Sequence, residues 1–267
     1  MKNFTDTGSE LLFVAALITL FSAIGAGYFV LPLMTHGSSV LVGSVLLPAD
    51  SLLAASILEW GFHSLLTAHS VFDWNAGFPL HNTLATTENL LGWQFFYTPL
   101  RTAGVSVASA YNSLILGSLV ISGVGSALLA RRLGADRVGA AAAGIIFAYG
   151  PFHLNNMMHL QTMSVCWTPF AILFLDRCLE RVTAADAIGL VATFCITLLS
   201  GVYFGFFLTL ILPLYAILSW VFGRRRFSLA TAGRLGLIGV GCLALASPLA
   251  LPYMRFAMDN GWYHESP

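Results

Sequence analysis

Charged residues are scarce in this sequence of 267 residues: they make up 9% of it, whereas a soluble domain usually carries about 25%. Hydrophobic residues make up 57%, and the mean hydropathy is +0.81. These values exclude an ordinary soluble globular enzyme. A bilayer core about 30 Å thick needs roughly 20 apolar residues per helical crossing, and long uncharged runs recur along the chain. The composition therefore predicts an integral membrane protein.

A basic stretch of the kind that binds nucleic acid is also missing, and so are paired cysteines. The net charge is +0 and the basic residues are single or in short clusters, which argues against nucleic acid as a partner. The four cysteines are scattered singly and are expected to be small buried apolar residues. No metal signature, P-loop, dinucleotide fingerprint or G-x-S-x-G elbow is present. The pairs Gly123/Gly125 and Gly239/Gly241 are expected to serve helix packing.

The apolar runs predict an all-α fold, a polytopic transmembrane helix bundle of about seven spans. The first run is too long for a signal-peptide core and is expected to be a retained span. Residues 1–267 are then a single membrane domain. The expected spans are 10–34, 105–130, 138–152, 161–176, 185–200, 202–222 and 231–253.

The basic residues predict the orientation of this bundle. If the spans alternate, Arg101 and Arg255 fall on one side and the other ten basic residues on the opposite side. Because Lys and Arg accumulate in cytoplasmic loops, the amino terminus is expected in the cytoplasm, and the segments 35–104, 153–160 and 254–267, together with residue 201, on the outer face. The ten are Lys2, Arg131, Arg132, Arg137, Arg177, Arg181, Arg224, Arg225, Arg226 and Arg234.

One connection, the outer loop 35–104, is about 70 residues long, whereas loops in helix bundles usually have about 2–8. Long ordered loops of this kind usually carry function. Up to Arg101 the loop contains no cation, but it contains four carboxylates: Asp50, Glu59, Asp73 and Glu88. Its pattern predicts an amphipathic helix over 50–66 at the membrane interface and a second helix over 87–97 with Glu88 in the first turn.

Asp50 and Glu88 are the carboxylates that we consider as candidate catalytic residues. Asp50 is nearest the predicted membrane boundary, where partial desolvation makes a carboxylate a usable base, although capping a helix is the alternative role. For Glu88 the alternative is a charge in a capping turn. His153 and His159 flank a short outer loop and do not by themselves make a metal site, so interfacial hydrogen bonding is their alternative.

Cations and aromatic rings at the outer face could bind a substrate. Arg101 and Arg255 lie at span ends, where a guanidinium reaches either a substrate phosphate or ordinary lipid headgroups. Aromatic side chains could stack on sugar faces, although anchoring at the interface is the commoner use of Trp. The rings concerned are those of Trp60, Trp74, Phe78 and Trp93.

Several ordered blocks carry a resemblance to a known family. They include DSLLAASILEWGFH (50–63), FDWNAGFPLHNTLATTENLLG (72–92), GIIFAYGPF (144–152), HLQ (159–161) and WTP (167–169). In this order and spacing they resemble a bacterial family of polytopic membrane proteins assigned to the GT-C superfamily of lipid-linked-sugar glycosyltransferases, related to protein mannosyltransferases and arabinosyltransferases. The resemblance is close over about residues 45–182 and otherwise rests on hydropathy.

The resemblance implies a GT-C fold and an inverting glycosyltransferase at the outer face of the bacterial cytoplasmic membrane. Asp50 corresponds to the catalytic loop carboxylate, a general base on the acceptor hydroxyl, and Glu88 to the second carboxylate. The implied donor is a polyprenyl-phosphate sugar, the setting is membrane lipid, and the acceptor is unknown. No metal ligand is assigned, while a divalent cation at the donor phosphate stays open. The candidate substrate-binding residues are Arg101, His153, His159, Gln161, Arg255, Trp60 and His63.

The sequence departs from the family pattern in two ways. Family members have Gly where this chain has Ala49, and they have further spans and an outer domain, so the chain is expected to be an amino-terminal fragment without those parts. Two functions other than glycosyl transfer remain as alternatives: a transporter or lipid flippase, and a non-catalytic membrane component. Predicted spans almost free of charge argue against ion-coupled transport.

Overall fold

The protein is described by a computed structural model over residues 7–27, 40–42 and 48–260, and all regular elements within these ranges are helices. This confirms the all-α class. Short 3-10 helices cover Asn75–Gly77, Thr83–Thr86 and Thr162–Trp167. The α-helices of the described residues are α1 (Thr7–Gly25), α2 (Pro48–Thr67), α3 (Leu91–Thr102), α4 (Val107–Arg132), α5 (Arg137–Ala148), α6 (Pro151–Asn156), α7 (Thr168–Glu180), α8 (Ala184–Ser200), α9 (Val202–Val221) and α10 (Leu229–Asn260).

Five helical segments of the described chain are long and apolar enough to cross a bilayer, and they indicate a membrane protein. The five are Gly8–Gly25, Val107–Arg132, Thr162–Glu180, Val202–Val221 and Leu229–Asn260. The expectation of about seven spans is not confirmed, because α8 has 17 residues and α5 has 12. At 1.5 Å per residue α5 is about 18 Å long, which is short of a core about 30 Å thick. The end of the first expected span, 28–34, lies outside the described residues.

Glycines let α1, α4 and α5 pack closely. Phe21 of α1 is fully buried, and a Cβ built on Gly123 of α4 would lie 2.6 Å from its ring. A Cβ on Gly144 of α5 would lie 2.6 Å from the Gly123 carbonyl oxygen. The expected packing role of Gly123 is therefore confirmed. It is not confirmed for Gly239 and Gly241 of α10, where a Cβ would meet no atom of the described residues within 4 Å.

Ion pairs gather several helix ends at one end of the bundle, which we call the basic end. Arg131 at the end of α4 and Arg137 at the start of α5 both reach Glu10 of α1, at 3.2 and 3.4 Å. Arg132 and Arg225 converge on Asp176 of α7. The arginines near these helix ends thus lie on one side, as the alternation of spans predicted.

The opposite end, which we call the loop end, carries the residues of the long predicted loop. A helix is found over the expected range 50–66, as α2, but its expected amphipathic character was wrong: Ile57 and Leu58 are buried while Leu65 and Leu66 are exposed, so apolar residues lie on both faces. The second one starts at Leu91 and not at residue 87, because Leu90 has a left-handed φ of 53° and the Asn89 side chain accepts the Leu91 N–H at 3.0 Å. Glu88 therefore precedes this helix, and its expected place in the first turn was wrong.

Candidate functional site

Asp50 and Glu88 line one small cleft at the loop end. Asp50 is the third residue of α2, and Glu88 lies in the segment before α3. Gln161, just before the 3-10 helix Thr162–Trp167, completes the polar wall. The cleft has a volume of about 20 Å³, which is room for a single water molecule or hydroxyl group. Its other walls are Leu53, Ala54, Ile57, Thr87 and Leu90.

The Asp50 carboxylate is only lightly compensated. Its side chain is 39% exposed, and its ion-pair partner among the described residues is His159, whose Nδ1 lies 3.5 Å from Asp50 Oδ2. His159 is itself 29% exposed and precedes Leu160, which is fully buried in the core beside α2. The carboxylate therefore keeps free lone pairs for a group entering the cleft, with an imidazole beside it.

Glu88 lines the cleft and also caps a helix. Its Oε2 accepts the Val202 N–H at 2.8 Å, and the Tyr203 N–H also points to it. The preceding residue, Gly201, has no side chain that could cap α9. Glu88 thus caps α9 from a distant part of the chain, with its charge at the positive end of the helix dipole. Burial raises the pKa of Glu88 above its ordinary value, and the two N–H bonds offset part of that effect.

The remaining wall is held by close backbone packing and by α10. A Cβ on Gly201 would lie 2.8 Å from the Gln161 carbonyl oxygen, so the start of α9 packs directly on the segment that carries Gln161. Asn89, next to Glu88, donates to the Tyr253 hydroxyl at 3.2 Å. The end of α10 is thereby tied to the cleft, and the exposed Arg255 follows Tyr253 by two residues.

Arg101 is not brought to Asp50. Its Nε lies 2.5 Å from Glu59 Oε1, and its guanidinium lies over the Phe62 ring at 5.6 Å. Glu59 follows Asp50 by nine residues on α2, which is about 13 Å along the helix axis. Burial by itself raises the pKa of Glu59, but hydrogen bonds from Arg101 and from the Tyr97 hydroxyl outweigh it and hold that pKa below its ordinary value.

The aromatic residues and the histidine predicted to bind substrate, Trp60, Trp93, Phe78 and His63, do not line the cleft. The Trp60 indole N–H donates to the Val71 carbonyl at 2.9 Å and so holds the loop, while the exposed His63 stacks on His69 with ring centroids 6.2 Å apart. Trp93 is 1% exposed and cannot stack on a sugar, whereas Phe78 is 86% exposed.

His153 faces the interior of the bundle and not the cleft. Its side chain is buried, and its Nε2 lies 3.0 Å from the hydroxyl of Ser122 on α4. The rings of Phe147 and Phe152 meet it edge to face. Of the expected site residues, the structure therefore brings together Asp50, Glu88, His159 and Gln161, and leaves Arg101, Trp60, His63 and His153 elsewhere.

Sequence reasoning missed the buried carboxylate of Asp176. This side chain is fully buried and accepts hydrogen bonds from Arg132 at 2.7 Å, from Arg225 at 2.6 Å and from the Tyr215 hydroxyl at 2.8 Å. The sequence did contain a signal for this ion pair: Asp176 is a carboxylate inside an apolar run, and arginines were expected at the same end of the bundle. Arg225 is thus more than a topological charge.

The cleft does not fit a protein-held metal ion. Among the described residues no three His, Cys, Asp or Glu side chains form a group that could hold one. Glu88 also already accepts backbone N–H groups.

Over its described residues the chain is all-helical, with apolar helices of membrane-spanning length and a carboxylate cleft at one end. Comparisons with family models, curated proteins and solved structures found no match for this chain.

Proposed function

We propose that this chain is a membrane glycosyltransferase of the GT-C type, which transfers a sugar from a polyprenyl-phosphate donor to an acceptor hydroxyl, with Asp50 as the general base. The observation that carries the proposal is the shared cleft of Asp50, Glu88 and Gln161, with His159 at 3.5 Å from Asp50. The motif resemblance described above supplies the reaction class. The cleft geometry supports a base beside a space the size of one hydroxyl.

In this reaction the acceptor hydroxyl gives its proton to Asp50 as its oxygen bonds to the anomeric carbon. The bond from that carbon to the phosphate oxygen breaks, and polyprenyl phosphate leaves with the electron pair, so the sugar inverts. His159 orients the Asp50 carboxylate. Glu88 holds the start of α9 against the cleft through Val202 and serves as a positioning residue. Gln161 is placed to hydrogen-bond a sugar or acceptor hydroxyl.

Arg255 is the cation we assign to the leaving phosphate. It is exposed at the loop end and makes no ion pair within the described residues, whereas Arg101 is committed to Glu59. A guanidinium stabilises the negative charge that develops on a phosphate oxygen. Its helix is tied to the cleft through Tyr253 and Asn89.

The proposed setting is the cytoplasmic membrane of a bacterium, with the loop end outside. The arginine-rich basic end then lies in the cytoplasm, as the positive-inside rule requires. A polyprenyl donor is too apolar to leave the bilayer, so its sugar phosphate must react at the interface where the cleft opens.

The test is sugar transfer by the full chain in membrane vesicles, with a panel of radiolabelled polyprenyl-phosphate sugars. Asp50→Asn keeps the shape of the side chain and removes the base, so we expect transfer to fall about 100-fold or more. Asp259→Asn is the matched control, because Asp259 is an exposed carboxylate at the same end of the bundle, on α10. We expect the control to transfer at the wild-type rate.

Equal transfer by wild type and Asp50→Asn, with equal amounts in the membrane, would overturn Asp50 as the base. Absence of transfer by the wild-type chain from every donor would overturn the glycosyltransferase assignment.

A further inference from the structure

A large apolar cavity lies between helices α7 to α10, away from the Asp50 cleft. Its volume is about 420 Å³, within the range of sites that bind small molecules. The hydroxyl of Thr209, which lines it, already donates to the Phe206 carbonyl of its own helix at 2.7 Å. The cavity therefore presents no free hydroxyl, and its shape and chemistry suit a hydrocarbon chain. Its walls include Leu175, Leu190, Phe194, Leu208, Leu212 and Ile238.

One wall is open helix backbone. Gly236 and Gly239 of α10 line the cavity, and a Cβ on either would meet nothing within 4 Å. Leu243, further along the same wall, is 58% exposed. The cavity thus reaches the surface of the bundle where neighbouring apolar side chains face the hydrocarbon of the membrane, and a chain can enter sideways.

The cavity begins at the basic end of the bundle. Leu235 lines it and directly follows Arg234, which is exposed. From Leu235 to Leu243 the lining extends about 12 Å along α10. Arg226, in the connection between α9 and α10, is exposed as well.

These two arginines are uncompensated. Within the described chain neither Arg226 nor Arg234 forms an ion pair, whereas Arg225 is bound to the buried Asp176. Exposed cations beside an apolar cavity complement a ligand with a negative head and a hydrocarbon tail.

We propose that this cavity binds one acyl chain of an anionic phospholipid from the leaflet at the basic end, with the lipid phosphate on Arg234 and Arg226. The headgroup lies at the membrane surface and the chain extends along the glycine face of α10. The site is at the opposite end from the Asp50 cleft and does not depend on the proposed glycosyltransferase activity.

The experiment is a lipid titration of the purified full chain by native mass spectrometry, with phosphatidylglycerol and phosphatidylcholine that carry identical acyl chains. We expect about fivefold tighter binding of phosphatidylglycerol, since both lipids carry the phosphate but only phosphatidylglycerol has a net negative charge, which is worth about that factor beside an arginine. The double variant Arg226→Gln/Arg234→Gln is expected to bind phosphatidylglycerol and phosphatidylcholine with equal affinity.

Gly239→Leu tests the hydrocarbon half of the site. The new side chain enters open space, so the variant is expected to fold, and by filling the cavity it should weaken binding of both lipids about tenfold. Gly117→Leu on α4 is the matched control, because a Cβ there also meets nothing within 4 Å and Gly117 is not part of the cavity. It should bind both lipids as the wild type does.

Equal affinity of the wild type for the two lipids would overturn the headgroup contact. Lipid binding that Gly239→Leu leaves unchanged would overturn the acyl-chain site. A dimer of the wild-type chain that Gly239→Leu dissociates, with lipid binding unaltered, would identify a second copy as the occupant and also overturn the proposal.

Discussion

The two ends of the bundle use buried and half-buried carboxylates in opposite ways. At the basic end, Asp176 is fully buried and is bonded to Arg132, Arg225 and Tyr215. At the loop end, Asp50 is 39% exposed and faces one imidazole at 3.5 Å. The first carboxylate is saturated with donors and joins α4, α7 and α9. The second keeps its lone pairs.

Burial and pairing therefore distinguish a carboxylate that stabilises the fold from one that is available for catalysis. Removing a carboxylate that is buried among cations leaves those cations unpaired, at a cost of about 3–5 kcal/mol. A lightly paired and partly hydrated carboxylate contributes little to stability, because an exposed ion pair is worth about 0–1 kcal/mol. It is free to accept a proton from a ligand.

The sharpest test of this comparison is to neutralise each carboxylate in turn. Asp176→Asn should lower the free energy of unfolding by about 3 kcal/mol, because the buried charge between Arg132 and Arg225 is lost and the two guanidiniums keep only Glu180 as a shared anionic partner. Asp50→Asn should change it by less than about 0.5 kcal/mol. Reversible unfolding in mixed detergent micelles measures both. Similar losses for the two variants would contradict the distinction between the ends.

Glu88 is intermediate, since it lines the cleft and also caps α9. Glu88→Ala should cost about 1–2 kcal/mol, because the Val202 and Tyr203 N–H groups lose their acceptor. Glu88→Gln keeps an acceptor oxygen and should cost less than half of that. The same unfolding measurement applies. If both variants were as stable as the wild type, the cap would not contribute.

A smaller effect than that of Asp176 or of the Glu88 cap is expected for Glu59, which is paired with Arg101 at the loop end. Because its pKa lies below the ordinary 4.5, the folded chain binds this proton less readily than the unfolded chain. The pair therefore stabilises the fold above pH 4.5, and this stability is lost as the pH falls through the folded pKa. We expect Glu59→Gln to cost about 0.5–1 kcal/mol at pH 7.

The difference between wild type and Glu59→Gln should shrink as the pH is lowered below 4.5. Urea titrations at pH 7 and at several acidic pH values measure it. A difference that stays constant with pH would exclude an ionic origin.

Much of the fold could be predicted because its signals are local. Long uncharged runs predicted helices such as α4 and α9, and the alternation of those runs predicted that Arg131, Arg132 and Arg137 share one end. The helix boundary at Leu91 could not be predicted, because it depends on a left-handed residue, Leu90, inside a sequence with good helical propensity.

The candidate site was predictable in part. Asp50 and Glu88 were identified by their place in an acidic loop, and they do line one cleft. The pairing of Arg101 with Glu59 was not foreseen, because the choice among several loop carboxylates depends on which helix faces meet. The different outcomes for Gly123 and Gly239 have the same reason: one faces Phe21, and the other faces open space.

Composition and hydropathy by themselves determined that this chain forms apolar helices with its arginines concentrated on one side. These properties follow from the cost of exposing backbone and charge to hydrocarbon. Each segment avoids that cost alone, because a helix makes its own backbone hydrogen bonds and keeps its charges outside the hydrocarbon. The tertiary structure alone decided which carboxylate is saturated, which one stays open in a cleft, and where a cavity is left between helices. Those outcomes depend on contacts between residues distant in sequence, such as Glu88 with Val202, which no local pattern encodes.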